Sequence, residues 1–106
     1  SVAEALDLAQ ASGHPAVRVL ADLYHIVVEN EPMSHIATVG DMLAHVHVAD
    51  TGRRYPGSGS YPYPEFLSTL KAIGYDQRIS VECRWEDLAS ESLLALQFLR
   101  EAWVRA

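Results

Sequence analysis

Three short strand-like runs, at residues 17–21, 43–49 and 78–83, recur along the chain with helix-like segments before, between and after them. Strands kept apart by helices cannot pair through hairpins. The order α–β–α–β–α–β–α therefore implies parallel strands joined by right-handed crossovers, an α/β fold class.

The helical segments carry their own punctuation. Ser1 stands at an N-cap position with Glu4 three residues on, the spacing of a capping box. Val2, Ala5, Leu6 and Ala9 form one apolar stripe, Gly13 ends the helix and Pro15 follows. A helical or irregular stretch is expected around residues 26–29, and a short helix over 32–40 that Gly40 terminates. Residues 50–63 have no periodicity and are rich in Gly, Pro, Ser and Tyr, a loop of the length that usually serves function. Pro64 then suits the first turn of a helix, with Phe66, Leu67, Leu70 and Ile73 on one face and Gly74 at its end. The last helix is expected over 87–103, with Leu88, Leu93, Leu94, Leu96, Phe98 and Leu99 as its buried side.

Each strand-like run ends in residues that chemistry can use: Asp22 with His25, His45 with His47, and Glu82. In parallel α/β folds the carboxyl ends of the strands face the ligand-binding rim. Because strand side chains alternate, Leu20 and Asp22 share a face, as do His45 and His47, and Ser80 and Glu82. Arg18 belongs to that same face and is expected low in the interior. The opposite set, Val17, Val19, Ala21, Val46, Val48, Ile79 and Val81, suits packing beneath helices. An Asp, a His and a Glu converging at one rim offer oxygen and nitrogen donors without thiolate. That set favours Mn²⁺, Mg²⁺ or Co²⁺, with Zn²⁺ less favoured than at a cysteine site. Taken singly, Asp22 also reads as a helix N-cap or a loop hydrogen-bond acceptor, and His47 as a core or rim histidine. Glu82 in an apolar strand is harder to place without a partner. His14 and His35 read as surface residues.

The remaining composition narrows the setting. With 106 residues, 49 % of them hydrophobic, the chain amounts to one globular domain, 1–106. A formal charge of −6 argues against a nucleic-acid partner. No apolar run reaches the ~18 residues of a membrane span, and no secretory leader is expected at the start. A single cysteine, Cys83, forms no internal disulfide and fits a reducing, cytoplasmic setting.

In these runs the chain resembles the xylose isomerase-like sugar phosphate isomerase/epimerase superfamily, in the tagatose/psicose 3-epimerase and hydroxypyruvate isomerase branch. The resemblance lies in Asp22-Leu23-Tyr24-His25, in His45-Val46-His47-Val48-Ala49-Asp50, in Arg53-Arg54-Tyr55-Pro56-Gly57-Ser58-Gly59 and in Ile79-Ser80-Val81-Glu82. It implies a partial (β/α)₈ TIM barrel, the C-terminal part, with strands equivalent to strands six to eight. A whole barrel takes about 250 residues. It further implies that Asp22, His47 and Glu82 are metal ligands, that Glu82 also acts as acid/base, and that His25 and Arg53 contact a sugar or sugar phosphate. His45, one layer deeper, is not expected to be a ligand.

The family's opposing glutamate belongs to the fifth strand, which would precede Ser1. The resemblance therefore implies a chain without full epimerase or isomerase activity. A second reading is a non-catalytic module that buries its open sheet edges by self-association into a homo-oligomer and still binds a divalent metal. A third, a relative of the apurinic-site endonucleases, needs further His and Asp ligands that residues 51–56 do not supply.

Overall fold

Ser1 begins the chain as an N-cap: its Oγ accepts from the Glu4 amide at 3.2 Å, and Glu4 reaches back to the Ser1 amine, also at 3.2 Å. The computed structural model describes residues 1–106, and helix α1 occupies Val2–Ser12, closed by Gly13 at φ 63°. Its first amides, at Val2 and Ala3, donate to the Glu31 carboxylate at 2.9 and 3.1 Å. One side chain thus fixes where α1 docks. Burial works against ionisation of Glu31, yet these bonds and His35 hold its carboxyl below the usual range.

The strands are β1 (Val19–Asp22), β2 (Leu43–Val48) and β3 (Ile79–Val81), parallel and in the order β1-β2-β3. Between and after them lie α2 (Leu23–Val28), α3 (Ser34–Val39), α4 (Tyr63–Ala72) and α5 (Leu88–Arg105). The sheet is open at both edges, the architecture of a section of a (β/α) barrel. Its outer face is buried as the alternation predicts at Val19, Ala21, Val46 and Val48, each 1 % exposed or less, under α1, α3 and α4 with Phe66, Leu67 and Leu70. Val17, expected in the same set, precedes β1 and is 43 % exposed. The inner face holds Leu20, His45, His47 and Ser80. Leu20 is 44 % exposed there, because no layer within the chain covers it.

Two further expectations need correction. Arg18 is exposed at the lower end of β1, where its Nη2 donates to the carbonyl of Asp41 at 2.6 Å. The larger one concerns α5. Its buried residues are Glu91, Ala95 and Ala102, with Phe98, Leu99 and Trp103 partly covered, whereas Leu88, Leu93, Leu94 and Leu96 are 45–69 % exposed. The Phe98 ring meets Tyr63 edge-on at 5.1 Å, and small alanines let α5 lie close. The helix has apolar residues on more than one side, and periodicity alone does not say which side this chain covers.

Candidate metal centre

Direct pairing brings the strand-end residues together. Asp22 on β1 is the register partner of His47 on β2, and His47 is that of Ser80 on β3. The amide of Glu82 donates to the Val48 carbonyl at 3.0 Å, which carries the chain one step past β3 and sets Glu82 at the same rim. His47 Nδ1 lies 2.8 Å from Glu82 Oε2 and 3.7 Å from Asp22 Oδ2. One donor atom from each of the three falls within 4.8 Å of the other two.

Asp22 satisfies both readings of its sequence position at once. Its Oδ1 caps α2, accepting from the amides of Tyr24 at 2.9 Å and His25 at 3.4 Å. Its Oδ2 faces the imidazole. Glu82 is half exposed, and its Oε1 lies 3.6 Å from Arg53 Nη2. The Arg53 guanidinium sits 4.9 Å from the centroid of the Tyr24 ring. The structure therefore groups Asp22, His47, Glu82 and Arg53. His25 is exposed on α2 beside Tyr24 and shares a shallow depression with Asp22, outside this cluster. His45 lies below, its Nε2 3.0 Å from Ser80 Oγ and its ring edge-on to His47 at 5.0 Å.

The donor set fits a hard or borderline divalent cation. Ligand bonds of about 2.1–2.3 Å span donors up to about 4.5 Å apart, so separations within 4.8 Å ask for a small side-chain rotation. Two carboxylates converging on one imidazole also concentrate negative charge that a cation would offset. Asp22, His47 and Glu82 can hold such an ion.

Some participants were not singled out by sequence reasoning. Tyr24 was visible only as the neighbour of His25, and nothing in its local pattern marks it as a platform for Arg53. Arg54 bonds Glu91 at 2.6 Å and pairs with Glu86, tying the loop after β2 to the start of α5. Burial, and next the Glu91 charge, push the Cys83 thiol up, and Arg54 works the other way.

The xylose isomerase-like TIM barrel model matches residues 1–102. The chain belongs to that family. Within it, the relatives include ketose and sugar epimerases and a putative hydroxypyruvate isomerase. The chain is 31 % identical over 80 residues to the D-psicose 3-epimerase of Ruminiclostridium cellulolyticum, covering 74 % of this chain and 27 % of that protein. It is 32 % identical over 87 residues to the 3-dehydro-D-guloside 4-epimerase of Escherichia coli, covering 79 % of this chain and 33 % of that one. The crystal structure of D-psicose 3-epimerase with D-tagatose from Clostridium cellulolyticum H10 superposes with a TM-score of 0.86 at 26 % identity, over 97 % of this chain and 44 % of that chain. The chain thus spans about a third or less of the length of these curated relatives.

Proposed function

We propose that the chain supplies the metal-binding rim of a metal-dependent sugar isomerase/epimerase, as the C-terminal part of its barrel, with β1, β2 and β3 standing as strands six, seven and eight. The observation that supports this is the convergence of Asp22, His47 and Glu82 with donor atoms within 4.8 Å. Mn²⁺ is the ion we assign first, on its oxygen and nitrogen donors. A bound divalent ion supplies Lewis acidity, polarising a sugar carbonyl and acidifying the neighbouring C–H.

The chain's own residues do the rest. Glu82, half exposed beside His47, is placed to accept or return a proton as well as to bind metal. Arg53 offers its guanidinium to a sugar oxygen at the same rim, and His25 offers a ring nitrogen from α2. Epimerisation needs a second base on the opposite face of the sugar, and we assign that group to the part of the barrel that this chain does not span. The substrate we infer is a free or phosphorylated sugar, since relatives include structures with D-tagatose and D-fructose. A cytoplasmic setting accords with the lone cysteine.

A Mn²⁺ titration followed by calorimetry tests the reading. Binding to the wild type should be lost in Asp22→Ala and in Glu82→Ala; equal binding by all three removes the metal centre. The exposed leucines of α5 and the uncovered inner face favour a second reading, a self-associating module without catalysis. Sedimentation at micromolar concentration should then show a homo-oligomer, and a clean monomer counts against it.

A further inference from the structure

Asp50, immediately beyond β2, is 1 % exposed; Glu91, at 8 %, is the next most buried charged residue. Its Oδ1 accepts from the amide of Thr51 at 2.7 Å, the Thr51 hydroxyl at 3.2 Å and the amide of Tyr61 at 3.2 Å. Its Oδ2 accepts from the amide of Gly57 at 2.9 Å. One carboxylate thus holds the start, middle and end of the 51–61 loop. Only an acceptor at both oxygens fits: an asparagine would turn its NH₂ towards an N–H donor in either orientation. Gly59 shows how closely the loop is drawn in, because a Cβ there would lie 2.7 Å from Asp50 Oδ1 and 2.3 Å from Thr51 Oγ1.

The same turn carries Arg53. Its amide donates to the Asp50 carbonyl and the Asp50 amide donates to the Arg54 carbonyl, each at 2.8 Å. Arg53 has φ 63°, a left-handed conformation that arginine seldom adopts, and its carbonyl accepts from the Arg84 amide at 2.7 Å, two residues after Glu82. The guanidinium position beside Glu82 and over Tyr24 therefore depends on a backbone shape that the loop must hold.

We propose that Asp50 is a positioning residue for Arg53: its carboxylate keeps the 51–61 loop closed, so that a sugar at the rim meets a guanidinium already in place. This rests on reading the rim as a sugar site. Asp50 binds neither metal nor sugar, and its effect passes through Arg53.

Limited trypsin digestion reads the loop directly, because cleavage after Arg53 and Arg54 needs it open, while cleavage after Arg18 and Arg100, neither of them bonded to the loop, reports on the rest. In Asp50→Asn, cleavage after Arg53 and Arg54 should quicken about tenfold, as expected when buried hydrogen bonds are lost and proteolysis follows the open population. Cleavage after Arg18 and Arg100, and the Mn²⁺ affinity, should stay within about twofold on the same grounds. Thr51→Ala is the milder variant, used where Asp50→Asn fails to fold. It removes one of the four donors to Asp50, the acceptor of the Ser60 amide and a methyl group, and should show the same pattern more weakly. Equal acceleration at every site in Thr51→Ala, or none at Arg53 in either variant, overturns the proposal.

D-fructose binding to the Mn²⁺-loaded chain supplies the second arm. Asp50→Asn should weaken it, and should add nothing in an Arg53→Ala background; an additive loss overturns the proposal. A wild type that binds Mn²⁺ but no D-fructose, with the protease pattern as expected, would sink the sugar-site reading and leave the hold of Asp50 on Arg53 established.

Discussion

Asp50 follows His47 by three positions, yet the two side chains belong to polar assemblies of opposite kind. Around Asp50 four neutral donors meet two oxygens, and the group is shut away from water. Nearby, the Tyr63 hydroxyl donates to the Ala49 carbonyl at 2.6 Å, and burial followed by the Asp50 charge pushes that phenol well up. Around His47 two carboxylates crowd one imidazole nitrogen, with Glu82 half exposed. A saturated network fixes backbone and has nothing left to offer a ligand. An unsaturated one at a rim keeps lone pairs for something that is not protein. The contrast separates polar residues that hold the backbone from those whose donor atoms are left able to take a ligand.

If the contrast holds, metal should stabilise the chain through the open assembly alone. At a hundredfold excess over its dissociation constant, Mn²⁺ should add about 2.7 kcal/mol to unfolding stability, and nothing in Glu82→Gln, measured by denaturant titration with and without the ion. Tyr63→Phe probes the closed assembly: it strands the buried Ala49 carbonyl and should cost about 2 kcal/mol with Mn²⁺ affinity unchanged. Asp22 straddles the two kinds, and two substitutions should split it. Asp22→Asn keeps an oxygen for the α2 cap, so it should lose metal affinity with little loss of stability, whereas Asp22→Ala should lose about 1 kcal/mol more.

Glu31 is a third carboxylate and falls on the closed side, both oxygens taken by the α1 amides and one also by His35. Its folded pKa lies below the ordinary glutamate value of 4.5, so its contribution is present above about pH 4.5 and fades as pH falls through the folded value. Glu31→Gln should flatten that acid limb in a pH series of thermal melts, and an unchanged slope would mean that α1 docks without it.

Much of this was legible beforehand. Ser1 with Glu4, Gly13 and Gly40 mark helix ends through local backbone chemistry, and β-strand alternation put Val46 and His47 on opposite faces. Parallel topology then set Asp22, His47 and Glu82 at one end. The α5 leucines were not legible, because an amphipathic pattern states which residues are apolar but not whether the covering layer lies within the same 106 residues. Asp50 escaped for a different reason. Its donors lie up to eleven residues away in a loop without period, and only the folded path shows that they converge.

The register of the sheet has one more consequence. Asp22 and His47 sit on neighbouring, directly paired strands, and Glu82 follows the next strand along, so the gaps between them are steps of about 4.8 Å set by ladder hydrogen bonds. Nothing in that spacing draws on ring closure. A rim of this kind could be lifted onto another parallel sheet with its ligand geometry intact, provided that the three strands travel as one unit.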